Sequence, residues 1–273
     1  MENNGFKAIS SFSIVVPVHN ESESIGPLIE EIFLALKKYP PLEVLIVDDG
    51  STDDTVAEIN SLLPKYPALG LISHSQCFGQ SAGIVTGARE AQGDWLVFCD
   101  GDGQNNPAYI PLMLEALASN STSNQPDIML INCARTNRKS SRLKIACSYC
   151  ANLIRRLVLH DGCTDSGCGL KLVNRKVFLA MPQFKGLHRF IPALVVMQGY
   201  RILEMEITDR NRTGGTSKYT NTSRAIVGIF DLAGVYWLSK RCSTPNPQNT
   251  VRIDSLATRK PENTRKKIGS RQS

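Results

Sequence analysis

No stretch of 18 uncharged apolar residues occurs in the 273-residue chain, so no membrane-spanning helix is expected. The N-terminus offers no secretory pattern. Met1 to Ser11 is polar, and the first apolar run, Phe12 to Val18, is short and broken by proline. No G-x-G-x-x-G opens the first helix, which argues against a dinucleotide oxidoreductase. No G-x-x-x-x-G-K-[ST] occurs either, which argues against a P-loop NTPase. The eight cysteines are spread out (77, 99, 133, 147, 150, 163, 168, 242). Cys147-x-x-Cys150 sits in a helical pattern, and Cys163 to Cys168 has no zinc spacing. They read as buried or free thiols of a reducing cytoplasm.

What is present begins with the charge distribution. The formal net charge is +6, but residues 239–273 carry nine Lys/Arg against two Asp/Glu, or +7. The remainder holds 22 bases and 23 acids and is nearly neutral. The basic tail is rich in Pro, Asn, Ser and Thr and poor in apolar residues, a composition that does not fold alone. It is either a solvated tail or one drawn to anionic lipid headgroups. No nucleic-acid recognition motif accompanies it, so nucleic acid is not expected as a partner. Elsewhere 42% of the whole sequence is hydrophobic, enough for a sizeable core.

The body alternates strand and helix patterns. Phe12 to Val18, Glu43 to Val47, Leu69 to Ser73, Trp95 to Cys99 and Ile128 to Asn132 read as strands. Between them, Ser24 serves as an N-cap before Ile25, Leu28, Ile29, Ile32 and Leu36 on one helical face. Helices are also expected from about Asp53 to Leu63, from Ser81 to Ala91, and from Pro107 onward. This βαβα rhythm predicts an α/β protein: a mostly parallel sheet with helices on both faces.

Acidic residues gather at the strand ends: Glu21 after the first, Asp48 and Asp49 after the second, Asp100 and Asp102 after the fourth. Parallel strands bring such ends to one edge, where open α/β sheets bind ligands. If Asp100 and Asp102 stay in strand alternation, their carboxylates point the same way. Two converging carboxylates repel unless a cation lies between them, and hard divalent ions accept such oxygens. The same residues, with the adjoining Gly, Asn and Pro, also make a plain acidic turn.

Seven segments in order resemble inverting glycosyltransferases of family 2, of the dolichyl-phosphate mannose synthase and polyprenyl-phosphate glycosyltransferase type. They are Val16-Pro17-Val18-His19-Asn20-Glu21; Val47-Asp48-Asp49-Gly50-Ser51-x-Asp53; Gly79-Gln80-Ser81 with Gly83; and Asp100-Gly-Asp102-Gly-Gln104-Asn-Asn-Pro107. Asp165-Ser166-Gly167-Cys168-Gly169, His188-Arg189-Phe190-x-Pro192-Ala193 and Arg212 to Tyr219 complete the set. The resemblance covers about residues 12 to 240.

That resemblance implies a Rossmann-like glycosyltransferase A fold and a set of roles. Pro17, His19, Glu21, Asp49 and Asp100 fall where the family holds the nucleotide, with Asp49 toward a base N–H. Asp102 and Gln104, with Asp100, match its ligands for Mg²⁺ or Mn²⁺ beside the diphosphate. Arg135, Arg138, Arg142 and Ser217 match its acceptor and phosphate contacts. Asp100, Asp102, Arg212 and Lys218 match its catalytic groups. Arginine suits such work because its planar fork can bind phosphate oxygens in pairs. The implied partners are a nucleotide-sugar donor and a polyprenyl-phosphate lipid, met peripherally at the cytoplasmic face of a membrane. A soluble saccharide or other non-lipid acceptor is the alternative.

Two features depart from the pattern. Gly101 and Gly103 stand where the family more usually has Ala and Leu. Many relatives end in two membrane helices, whereas Ser223 to Leu238 is too short to span and is interrupted by Arg224 and Asp231. Its apolar residues either dock at a membrane surface or pack as a structural helix. No Q-x-x-R-W accompanies Trp95 or Trp237, which argues against a processive polysaccharide synthase. The expected organisation is an extension at 1–11, a catalytic domain at 12–222, an apolar helix at 223–240 and a basic tail at 241–273.

Overall fold

The computed structural model describes residues 11–120, 128–136, 142–208, 210 and 221–241. The first half alternates strictly. β1 (Phe12–Val18) leads to α1 (Ser22–Ala35), and β2 (Glu43–Asp48) to α2 (Thr55–Leu62). β3 (Leu69–Ser73) leads to α3 (Gln80–Glu90), and β4 (Trp95–Phe98) to α4 (Tyr109–Asn120). The second half runs β5 (Ile128–Arg135), α5 (Arg142–Leu159), β6 (Lys171–Asn174) and α6 (Arg175–Leu179). A 3₁₀ turn at Leu187–Arg189, α7 (Ile191–Met197), β7 (Arg201–Ile207) and α8 (Asn221–Arg241) follow.

All seven strands form one sheet in the order β3-β2-β1-β4-β6-β5-β7. β6 runs antiparallel to β4 and β5, and every other pairing is parallel. The mostly parallel sheet is as expected; the reversal is not announced by the sequence, because β6 is only four residues long.

Alternation along β1 divides the core between two faces. Ile14, Val16 and Val18 lie with Ile25, Ile29 and Ile32 of α1 and with Ile110 and Met113 of α4. Val15 turns to the opposite side, with Val47 of β2, Ile84 and Ala88 of α3, and Ile191 and Val195 of α7. A parallel strand buried on both sides needs such an unbroken apolar run. Each fully buried aliphatic side chain contributes about 1.5–3 kcal/mol.

The Ser24 cap is a correction. α1 starts at Ser22, and Ser24 sits buried in its first turn. Its hydroxyl donates to the Gly101 carbonyl at 2.9 Å, which ties α1 to the turn after β4. The group is spent on a tertiary contact, so it does not define the helix start.

α3 lies close against β1 and β2 because Gly87 has no side chain. A Cβ there would run into Val15 and come within 3.1 Å of Val47 Cγ2. Alanine gains about 1 kcal/mol over glycine in a free helix, while overpacking costs about 1–3 kcal/mol. Gly87→Ala is therefore expected to lower the urea midpoint despite the better helix former, with the slope unchanged. A midpoint at or above wild type would show that α3 can ride further from the sheet.

Candidate active site

β2, β1 and β4 are neighbours and parallel, so the segments after them meet at one edge. Asp48 ends β2 and is buried; its carboxylate accepts the Ser51 N–H at 3.1 Å. Ser51 Oγ accepts the Asn20 N–H at 2.8 Å, and Asn20 Oδ1 accepts the Thr52 N–H at 2.7 Å. Asp53 bonds the Thr55 hydroxyl, which accepts the Glu21 N–H at 2.8 Å. The acidic motif after β2 thus folds the turn after β1 onto itself.

Asp49 is the hub of the next layer. One oxygen accepts from the His74 ring at 2.8 Å and from Phe78 N–H at 2.9 Å. The other accepts from Gly79 N–H at 2.6 Å and from the Cys77 thiol at 3.2 Å. The His19 ring meets the Asp49 carbonyl at 2.8 Å. Burial would raise the Asp49 carboxyl, but the bonds from His74, Phe78, Gly79 and Cys77 outweigh it and hold the group below its ordinary value. Both oxygens carry donors from the chain itself, so this carboxylate anchors the 74–79 loop. The sequence marked Asp49 for a base N–H; His74, its main side-chain partner, carried no signal.

β4 ends at Phe98, paired with Val15, one residue short of the expected strand. Asp100 and Asp102 lie in the turn beyond it, so strand alternation does not set their directions. Gly103 takes φ +73°, a conformation that favours glycine and explains one departure from the family pattern. Asp100 Oδ1 accepts from Gln80 Nε2 at 2.7 Å, and its N–H bonds buried Asn105 at 3.2 Å. Asp102 accepts the Gln104 N–H at 3.1 Å. Burial pushes the Cys99 thiol well up, and the charges of both Asp100 and Asp102 add to it.

As a metal site, this edge offers hard oxygens from Asp100, Asp102 and the Gln104 amide. Among the described residues no three His, Cys, Asp or Glu gather into a cage. The donor set fits a cation such as Mg²⁺ or Mn²⁺ that takes its other ligands from phosphate and water, and it does not fit a fully enclosed structural ion.

The 165–169 segment closes the edge from the other side. Asp165 receives Arg135 through Nε at 2.7 Å and Nη2 at 3.1 Å. Asn132 donates to the Asp165 carbonyl at 3.0 Å, and buried Lys171 donates to the Ser166 and Cys168 carbonyls. Arg155 pairs with Asp161 beneath. Arg135, expected at an acceptor phosphate, is thus engaged with a carboxylate as it stands. Arg138, Arg212, Ser217 and Lys218 lie outside the described residues, as does the Arg142 side chain at the start of α5. Gln80, Ser81 and His188 are brought in by the fold; they stood within matched motifs without an assigned role.

The fold and this edge define an α/β protein with carboxylates gathered at the ends of parallel strands. Glycosyl transferase family 2 matches residues 13–180. The chain is 34% identical over 238 residues to dodecaprenyl-phosphate galacturonate synthase of Rhizobium johnstonii, covering 85% of this chain and 68% of that protein. It is 32% identical over 216 residues to undecaprenyl-phosphate 4-deoxy-4-formamido-L-arabinose transferase of Pectobacterium atrosepticum, covering 78% and 63%. It thus spans about two thirds of the length of these relatives. Glucosyl-3-phosphoglycerate synthase from Mycobacterium tuberculosis, solved with Mn²⁺, UDP and phosphoglyceric acid, superposes with a TM-score of 0.61. Identity there is 19%, over 87% of this chain and 80% of that one. The chain belongs to glycosyl transferase family 2, and its sheet is the glycosyltransferase A fold.

Because Asp49 ionises below the unfolded value of about 3.9, it stabilises the fold above that pH. That contribution is lost as pH falls through the lower folded value. Asp49→Asn should cost roughly 2 kcal/mol at pH 7. Its urea midpoint should fall less than that of wild type between pH 6 and pH 3. Parallel acid profiles would remove Asp49 from this role.

Proposed function

We propose that this glycosyltransferase moves a hexose-type sugar from a nucleotide-diphosphate donor, GDP-mannose or a UDP-sugar, to a polyprenyl phosphate, with inversion. The observation that carries this reading is the carboxylate edge: Asp48 at the end of β2, Asp49 just beyond it, and Asp100 and Asp102 after β4, with β1 between the two strands. Its support is the family, together with relatives whose names specify polyprenyl-phosphate acceptors.

In this reading Asp49 frames the nucleotide side through the 74–79 loop, with Pro17, His19 and Glu21 beside it. Asp100, Asp102 and Gln104 would hold Mg²⁺ or Mn²⁺, and the ion would supply Lewis-acid stabilisation of the leaving nucleoside diphosphate. Arg212, Lys218, Ser217, Arg138 and Arg142 orient the acceptor phosphate and the donor diphosphate. A phosphate monoester is already anionic at neutral pH, so orientation matters more than a strong base. Direct attack by the acceptor on the anomeric carbon turns an α-linked donor into a β-linked lipid phosphate.

The acceptor lies in a membrane, and α8 suits contact with its surface. Among the described residues no helix is long and apolar enough to cross. Val235 is buried, and Leu232 and Leu238 pack on the core, but Phe230 and Trp237 are 73% and 62% exposed. Ile154 and Leu157 are exposed on α5, which packs against α8. The 243–273 tail lies outside the described residues; its basic charge favours anionic lipid. Cys77, Cys99, Cys133, Cys163 and Cys168 are free thiols, as suits the cytoplasmic face.

The test is transfer of label from nucleotide sugars into an organic-extractable product with Mg²⁺ or Mn²⁺ present. Asp102→Asn should fold normally and lose about a hundredfold or more in kcat. Wild-type turnover by Asp102→Asn at limiting Mn²⁺ would refute the metal role. Label confined to water-soluble products would favour a non-lipid acceptor, and retained configuration by NMR would exclude inversion.

Vesicle sedimentation tests the surface contact. Phe230→Ser with Trp237→Ser should weaken binding to anionic vesicles at all salt levels. Removing residues 243–273 should weaken it chiefly at low salt, since charge attraction is screened over about 8 Å at physiological salt. An intact chain that fails to sediment even at low salt would refute the contact.

A further inference from the structure

The first turn of α3 is pinned from two sides. Asp49 holds the Phe78 and Gly79 N–H groups that precede it. On the far side, Ser81 Oγ bonds the His188 ring at 2.8 Å and accepts the Gly186 N–H at 3.2 Å. Gln80 lies between these anchors with an exposed side chain, and its amide reaches Asp100 Oδ1 at 2.7 Å.

Gly169 also lies against Asp100. A Cβ at that position would collide with the Asp100 carboxylate. Below, buried Asn105 fixes the Asp100 backbone N–H at 3.2 Å. The carboxylate therefore lies against the bare backbone of residue 169 and accepts from the Gln80 amide.

We propose that Gln80 is a positioning residue that sets the orientation in which Asp100 meets the cation and the donor. A glutamine amide donates a hydrogen bond without cancelling the charge of the carboxylate. A lysine there would compete with the cation, and an apolar side chain would remove this hydrogen bond from the carboxylate. The Asp49 anchor also reaches the metal side by this route, because it places the residue that orients Asp100. The proposal rests on the reading of Asp100 given above.

The experiment is Mn²⁺ titration of the full-length chain by electron paramagnetic resonance, with UDP in one series and GDP in another. Gln80→Met keeps length and bulk but has no donor; it should weaken Mn²⁺ binding roughly five- to tenfold. Gln80→Ala should match it, since the loss is a hydrogen bond and not packing. Gly169→Ala should weaken binding as well, with a native circular dichroism spectrum. Wild-type Mn²⁺ affinity in Gln80→Met, beside weakened binding in Asp100→Asn, would overturn the positioning role and leave the Asp100 reading intact. Unchanged binding in Asp100→Asn, or no Mn²⁺ bound by wild type with either nucleotide, would overturn both.

Discussion

Asp49 draws two hydrogen bonds to each carboxylate oxygen, and the 74–79 loop exists in its observed form because of them. The carboxylate sits at the end of β2, where burial alone disfavours its charge. The donors that repay this cost come from a segment that has just left β3, so the anchor joins two neighbouring strand ends across the edge. α3 begins directly after this loop, and Gln80 and Ser81 in its first turn reach Asp100 and His188. One ionised group thereby sets the position of one wall of the site.

Much of this was legible in the sequence, and the boundary between what was and was not is physical. β1 and β3 run over the residues that their apolar pattern marks; β1 is buried throughout, as an unbroken apolar run in a parallel sheet requires, and β3, at the sheet edge, is only partly buried. The row of acids at one edge follows from parallel strands. Asp100 and Asp102 do follow β4, but the chain leaves the strand at Phe98, and a turn, not strand alternation, carries them. The contacts of Gln80 and Gly169 with Asp100 join segments 20 and about 70 residues apart, and no local pattern reports such a meeting.

Arg135 illustrates a different limit. Its charge and place at the end of β5 suited a phosphate contact. The fold brings Asp165 to it in a two-pronged ion pair. Composition counts charges without saying which of them meet. An arginine fork fits a carboxylate as well as a phosphate, so only the fold separates the two.

The reversed strand has a consequence for how such a site can change. Because β6 runs against its neighbours, the 165–169 segment arrives at the edge from which the parallel strands depart. Outgoing segments supply Asp49, Asp100 and Asp102; the incoming one supplies Asp165 and Gly169. The chain between β5 and β6 can then gain or lose residues while the outgoing turns keep their register, since lengthening a surface connection costs little. Outgoing and incoming residues are inherited on separate stretches of one chain, and the two halves of this edge can diverge at different rates.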